Sequence, residues 1–546
     1  MSEATAQQGT DNNYLEHHQI VPILIGLMSG MFLAALDQTI VATAIRTIGD
    51  ELNGLSVQAW VTTAYLITST VTTPLYGKLS DIYGRKPLFL WAISLFILGS
   101  ALSAFAPNMY ALAAFRAVQG LGAGGLFTMA LAIIGDIVPP RERSRYQGYF
   151  MAVFGTSSVL GPVVGGFLAG ADSILWITGW RWVFLINVPI GAIALYLVNH
   201  TLHIPGFQRV NHRMDWLGAS AMTLGIVPLL LVAERAPEWG ITSTTAFVCY
   251  GLTLLGGALF LFAESRMGDE ALIPLRLFKD KTFSILTIVG VITSIGMFGG
   301  LAVLPLYLQI VGGAGPTEAG LQLLPLTLGI MSGSLISGQT IGKTGRYKGF
   351  ILSGTVIVTL ALAWMTSITA TTAYPLIAAM SLAFGLGLGF LMQPTVVAVQ
   401  NAVSPRDIGV ATSSVTLFRQ LGATLGTGIF LSLLFGRLGD FVKERFAAAM
   451  QTPDYQAALA DPANAATVQA LQGLASAEGT SGFNDTSWLN TANEVIIRPI
   501  LDGFTDSTNL VTTVGAAITV FGILFALFVP NLELKHHDRS APPAGH

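Results

Sequence analysis

Gly77-Lys78-Leu79-Ser80-Asp81-Ile82-Tyr83-Gly84-Arg85-Lys86 and, about 260 residues later, Gly338-Gln339-Thr340-Ile341-Gly342-Lys343-Thr344-Gly345-Arg346-Tyr347-Lys348 are two versions of one basic, glycine-punctuated turn. Each lies between two long apolar segments. A chain that makes the same turn twice is read as two copies of one helical membrane bundle. Two such bundles with a site between them describe a secondary transporter.

Composition agrees. Of 546 residues, 52% are hydrophobic and only 10% are charged, against about 25% charged in soluble domains. So few charges cannot cover a water-facing surface of this size, so the solvent is mostly lipid. The 60 glycines suit helices packed through small residues. The net charge of -3 suggests no nucleic-acid partner. The single cysteine, Cys249, excludes an internal disulfide and a cysteine metal cluster.

Fourteen apolar runs are long enough to cross about 30 Å of hydrocarbon as helices. They fall near 20–45, 58–76, 88–106, 110–135, 147–170, 182–201, 215–233, 243–263, 282–310, 317–341, 349–368, 373–400, 408–436 and 507–530. The repeat extends beyond the glycine turns, because Pro140-Arg141-Glu142 after the fourth run corresponds to Pro405-Arg406-Asp407 after the twelfth. The expected organisation is six, two and six: a bundle over 20–201, an inserted two-helix linker within 202–281, and a bundle over 282–530. Residues 1–19, which lack a signal peptide's positive n-region, and 531–546 are expected to be disordered cytoplasmic tails.

Lysine and arginine set the expected orientation. Lys78, Arg85, Lys86, Arg141, Arg143, Arg145, Arg209, Arg213, Arg266, Arg276, Lys279, Lys281, Lys343, Arg346, Lys348 and Arg406 share one side. The short loops opposite hold only Arg46, Arg181 and Arg235. The first side is expected to be cytoplasmic, with both termini. Residues 437–506, starting with amphipathic Phe441-Val442-Lys443-Glu444-Arg445-Phe446, are expected to form an outward loop. Either it is a partly helical cap or it has a role in delivering solute.

Several motifs, in order, resemble the major facilitator superfamily. The turn from Gly77 to Lys86 is similar to its signature A. Arg116-Ala117-Val118-Gln119-Gly120 is similar to signature B. Gly161-Pro162-Val163-Val164-Gly165-Gly166 is similar to signature C, which marks the antiporter branch. Leu36-Asp37-Gln38-Thr39-Ile40-Val41, Trp180-Arg181-Trp182 and Asn187-Val188-Pro189 resemble its fourteen-span drug:proton antiporters. The likeness runs from about residue 20 to 435 and covers the last span. It implies an all-α polytopic fold of two six-helix bundles, embedded as a monomer in a bacterial cytoplasmic membrane. It implies exchange of lipophilic small molecules for protons by alternating access, driven by the proton gradient without a cofactor or metal.

Each motif has a physical reason. A carboxylate at mid-membrane, Asp37, is costly unless paired, hydrated or protonated. It either carries the proton or stays protonated as a hydrogen-bond donor between helices. Arg116 cannot deprotonate; the resemblance implies a role in proton coupling, and a structural Arg bonded to carbonyls is the other reading. Arg419, in Phe418-Arg419-Gln420-Leu421-Gly422, either binds an anionic group, pairs with Asp37 across the halves, or serves packing.

Asp81, Arg85 and Lys86, between Gly77 and Gly84, are expected to form a charged knot. The resemblance implies that it locks the outward-facing state; the same cations also hold the loop inside. Gly342 replaces the acid in the second turn, so the lock is expected to be asymmetric. Gly161, Pro162, Gly165 and Gly166 thin and bend the fifth span. By resemblance that bend faces the other half and seals against proton leak.

Gln38, Met297, Phe298, Tyr307, Gln309 and Gln322 join Arg419 as candidates for the substrate cavity. Met and aromatic side chains suit adaptable apolar solutes, and they also serve ordinary helix packing. Arg46 stands where related chains usually have proline, which weakens a preference for cationic drugs.

Gly120 to Gly125 and Gly385 to Gly389 imitate dinucleotide loops but lie within apolar spans, where they serve packing. His17-His18 and His536-His537 read as tail pairs. There is no P-loop and no credible nucleophile–base pair in sequence, so direct ATP drive and enzyme chemistry are not expected. The remaining alternatives are a dedicated exporter of an envelope lipid, siderophore or endogenous antibiotic, and a transport-dead sensor.

Overall fold

A computed structural model describes residues 17–52, 59–203, 214–240, 242–476, 489, 492–531 and 534. The first unit contains α1 (His17–Glu51), α2 (Ala59–Tyr83), α3 (Arg85–Ala104), α4 (Met109–Ile137), α5 (Pro140–Gly170), the short α6 (Trp182–Leu185) and α7 (Asn187–Thr201). The inserted pair is α8 (Trp216–Trp239) and α9 (Thr244–Met267). The second unit contains α10 (Lys281–Ile310), α11 (Pro316–Gln322), α12 (Leu324–Thr344), α13 (Lys348–Met365), α14 (Tyr374–Ala402) and α15 (Ile408–Ala449). Two short helices follow, α16 (Pro453–Ala460) and α17 (Ala465–Ser476), before α18 (Glu494–Leu527). The protein is an all-α polytopic membrane protein. Its one hairpin, β1 (Ser173–Ile174) with β2 (Ile177–Thr178), is a minor ornament among the described residues.

Among the described residues, thirteen candidate membrane spans satisfy both length and apolarity. The long helix outside that set is α2, which carries Thr62, Thr63, Thr68, Thr70, Thr72 and Thr73. Several of these hydroxyls are satisfied within the helix. Thr68 donates to Ala64 O, Thr72 to Thr68 O and Thr73 to Ser69 O. A helix can therefore be polar in sequence and still sit at membrane depth. Asn108, Ser243, Asp280 and Asn493 cap α4, α9, α10 and α18 through their side chains, satisfying first-turn amides.

Gly84 joins α2 to α3 with φ 101° and ψ 149°, a conformation essentially reserved for glycine. Gly84→Ala should therefore cost about 1–3 kcal/mol. A lowered thermal midpoint of the purified protein would show it.

Close glycine contacts hold each half together. Gly120 and Gly124 lie against the α2 backbone, and Gly122 lies against α3. Gly385 and Gly389 lie against α12 in the same way. These runs are packing surfaces, as their position in apolar helices implied. The halves meet along α2 with α15 and α5 with α12. The inserted α8 leans on both α2 and α15, with Gly428 pressed on the Ala233 backbone.

Three boundaries differ from the sequence reading. α1 begins at His17, so residues 17–19 belong to a helix and not to a tail; residues 1–16 lie outside the described residues, as do 532–533 and 535–546. The tenth span is broken into α11 and α12 around Leu323. The expected loop at 437–506 is largely helix. α15 runs on to Ala449, and the amphipathic stretch forms its outer turns. Leu438 and Val442 are buried there, while Arg437, Asp440, Lys443 and Glu444 stay outside or at the edge. α18 starts at Glu494 and runs beside it. Arg445 grips Asp506 at 2.6 and 2.8 Å, and Gly503 closes on Val442. The glycine-rich stretch at 478–487 lies outside the described residues.

Candidate functional site

Asp37 lies within α1 with no solvent exposure. A lone carboxylate there would be costly, and the fold supplies three partners from two other helices. Arg116 Nη1 of α4 pairs with Oδ2 at 2.5 Å. Gln119 Nε2, one turn on, donates to Oδ1 at 2.9 Å. Asn187 Nδ2, at the start of α7, donates to the same oxygen at 2.8 Å. The partners are linked in turn. Arg116 donates to Gln119 Oε1 at 2.7 Å, Asn187 donates to Ser100 Oγ at 3.0 Å, and Ser100 donates to Phe184 O at 2.9 Å.

The arginine is also cushioned. Its guanidinium carbon lies 4.1 Å from the ring centre of Tyr65 on α2. The Tyr65 hydroxyl accepts from Gln38 Nε2 at 3.4 Å, and Gln38 is exposed. The network is therefore a neutral ion pair, closed on one side by Asn187 and Ser100. On the other it reaches a surface through Tyr65 and Gln38. Asp37 pairs with Arg116 and not with Arg419. Arg116 and Gln119 come from one motif and Asn187 from another, but the sequence carried no sign that these motifs meet at Asp37 or that Ser100 and Tyr65 would join them.

The signature C residues lie behind this network. Gly161 sits directly on Thr39, and Gly165 sits on the Ile40 backbone. Thr39 donates to Ser157 O at 3.0 Å. The notch thus clamps α5 to α1 within one half, immediately beside Asp37 and Gln38. Pro162 alone of the motif's described contacts turns to the other half, meeting Gly320. Gly166 is half-exposed.

At the face bearing the basic turns, Arg85 is the hub. It pairs with Asp81 at 2.5 Å and with Asp136 at 2.7 Å, and it also reaches Ser80 Oγ. The knot rests on the other half. A Cβ at Gly409, in the first turn of α15, would overlap Asp81 Oδ1 and Arg85 Nη1. A Cβ at Gly77 would overlap Ser413. Gln400 of α14 adds a hydrogen bond to Leu131 O at 3.1 Å. Thr73 and Gln420 meet at 3.4 Å. This face is closed.

Lys86 is not part of the knot. Its Nζ donates to Asn199 O at 2.6 Å, at the end of α7, where a cation suits the helix dipole. Asp136 takes the expected place of Lys86. The repeat is visible here, since Lys348 Nζ donates to Leu527 O at 2.9 Å, at the end of α18. Arg85 corresponds to Arg346, but both acids are lost. Gly342 stands for Asp81. At the offset that carries Pro140 onto Pro405, Asn401 stands for Asp136. The charged knot is therefore not repeated at these positions of the second half.

Burial pushes the Asp81 carboxyl up to about 6, against the pull of Arg85, with Asp136 adding to the rise and Lys78 opposing it. If the gate opened to water, the value would fall back towards 3.8. A raised closed-state value means the closed form holds the extra proton. Its advantage is full below about 4 and is lost as pH rises through about 6. Acidifying this face from about 7 to about 5 should therefore raise the closed fraction. Spin-label distances across the gate would report it, and Asp81→Asn should remove the dependence.

The cavity candidates divide. Gln38 is exposed beside the Asp37 network and Arg419 is half-buried. Met297 is buried in the core of the second half, and Phe298 packs against it. Tyr307 is buried with its hydroxyl donating to Thr369 O at 2.7 Å, so it ties a loop. Gln309 is half-buried at the end of α10. Gln322 ends α11, donating to Glu318 at 3.3 Å, while its carbonyl accepts from Tyr374 at 3.1 Å. The structure does not bring these last three to the Asp37 network.

Comparison with known proteins agrees with this architecture. The family model described as Major Facilitator Superfamily matches residues 27–427. The chain belongs to that superfamily: it is a membrane transporter and not an enzyme. Multidrug transporter protein MdtP of Bacillus subtilis (strain 168) is 32% identical over 522 residues, covering 94% of each chain. Multidrug resistance protein 3 of the same organism is 35% identical over 414 residues, covering 75% of this chain and 78% of its own. Among solved structures, the proton:xylose symporter XylE superposes with a TM-score of 0.58 at 14% identity, over 95% of this chain and 98% of that one. That likeness speaks for the fold alone.

Proposed function

We propose that this protein is a proton-coupled exporter of lipophilic small molecules, working by alternating access with its basic face in the cytoplasm. The observation that carries the reading is the buried Asp37–Arg116 pair with an exposed edge at Gln38. Protonating Asp37 dissolves the ion pair and leaves Arg116 to be held by Gln119 and Tyr65. The charge state of Asp37 thus changes the contacts among α1, α4 and α7. A site that couples a proton to a movement of helices needs this property.

The closed basic face corresponds to the outward-facing state, in which solute leaves and Asp37 is protonated. Opening that face lets solute enter and the proton leave to the cytoplasm. A membrane potential contributes about 2.3 kcal/mol per charge per 100 mV, enough for about a 50-fold gradient per net charge moved. The relatives named as multidrug transporters support lipophilic drugs as the solutes.

The test is transport by purified protein in proteoliposomes under an imposed pH gradient, following ethidium and lumenal pH together. Dye moving against proton flow is the expected result. Dye movement with no proton movement would overturn the coupling. Absence of any solute movement by folded protein would favour a sensor.

A further inference from the structure

Arg419 is a half-buried guanidinium about eleven residues into α15, at membrane depth. Among the described residues it has neither an acidic nor a hydrogen-bonding partner. Asp37, the acid proposed to meet it, is taken by Arg116, Gln119 and Asn187. The charge is thus uncompensated, and an uncompensated cation at this depth costs several kcal/mol.

A second group, on the preceding helix α14, is also unfilled. Gln393 on α14 is 2% exposed, and its Oε1 has no hydrogen-bond partner. The two residues share a level. α14 and α15 are antiparallel, and Gln400 Nε2 donates to Thr412 Oγ1 at 3.1 Å. Seven residues back along α14 is Gln393, and seven on along α15 is Arg419. Seven residues are about two turns, about 10 Å of rise on the same helix face. Both residues therefore stand at one level of the two helices, each on the helix face that carries the Gln400–Thr412 contact.

We propose that Arg419 and Gln393 form an anion subsite in the central cavity, and that solutes of this exporter include amphiphilic organic acids with a hydroxyl or amide donor. A guanidinium takes a carboxylate or sulfonate in two parallel hydrogen bonds. The Gln393 Oε1 takes the neighbouring donor, so both unfilled groups are satisfied by one solute. The inference rests on the export reading.

The probe is glycocholate, an amphiphilic carboxylate with hydroxyl and amide donors, measured beside ethidium. Binding to the purified protein is followed by calorimetry, and movement of both is followed in proteoliposomes. We expect glycocholate to bind and to be transported. Arg419→Gln should lower the ratio of glycocholate to ethidium affinity at least tenfold, Gln393→Leu should lower it severalfold, and Arg419→Lys should recover part of the loss. Thermal melting identifies any variant that fails to fold, and Arg419→Lys, which keeps the charge, remains readable if Arg419→Gln does not. Glycocholate that does not bind while ethidium is exported overturns the subsite and leaves the exporter. An unchanged ratio in folded Arg419→Gln overturns it as well. Movement of neither probe overturns the export reading itself.

Discussion

Asp37→Asn should abolish uphill transport and lower the stability of the protein. Asp37 accepts hydrogen bonds from Arg116, Gln119 and Asn187 on two oxygens. Asparagine has one acceptor oxygen and an amide that turns a donor towards other donors. Arg116, 1% exposed, is then a buried cation with no counter-charge. Breaking one side of a buried pair costs about 3–5 kcal/mol, so the melting temperature should fall clearly. In proteoliposomes the accumulation driven by a proton gradient, about 50-fold per charge at 100 mV, should fall to equilibration. Ethidium counterflow with no gradient should persist if the variant is folded. Adding Arg116→Gln should restore stability without restoring coupling, because the unpaired charge is gone and the titrating group is still missing. Uphill transport by Asp37→Asn would refute the assignment of the coupling proton to Asp37.

Gly409→Ala should open the basic face. Its new methyl would overlap Asp81 Oδ1 and Arg85 Nη1 and lie 2.8 Å from Arg85 Nη2. These atoms are fixed by Asp136 and Ser80 and have little freedom to withdraw. Overpacking of this kind costs about 1–3 kcal/mol, all of it in the closed state. The closed-to-open ratio should fall by about 5- to 150-fold, taking 1.4 kcal/mol per tenfold. Gly77→Ala, directed at Ser413, should act in the same direction through a separate contact. Spin labels at Tyr83→Cys and Arg406→Cys, both exposed positions, would read the separation in a Cys249→Ser background. Distance distributions matching the parent would show that the glycine notches do not hold the gate.

These two sites differ in how much of each was legible beforehand. Asp37 and Arg116 stand out because a charge within an apolar run is rare. Gln119 and Asn187 do not, because a neutral amide in a span is unremarkable until its partner is known. Tyr65 hides in the same way within α2, whose threonines also pull that helix out of an apolarity count. At the gate, the turn from Gly77 to Arg85 was readable from its repeat. Lys86 was misplaced and Asp136 was missed, because which cation reaches which acid depends on where the α4 and α7 ends fall. The segment at 437–506, read as a partly helical cap or a functional loop, is largely helical among the described residues. Where its helices run was not legible, because the turns of α15 after residue 436 are fixed by packing Leu438 and Val442 towards α18.

An all-α polytopic membrane protein was legible in the chain alone, because apolar run length and the repeated basic turns are local properties. The sequence also marked the residues that need explanation, which are the few charges at membrane depth and the glycines in the turns. How those residues combine became visible only with the fold. Folding joined Asp37 to Arg116, left Arg419 without an acidic partner among the described residues, and set Gly409 against the Asp81–Arg85 knot. The energy of a buried charge depends on what stands within a few ångströms of it, and that is a property of neighbours brought together by folding.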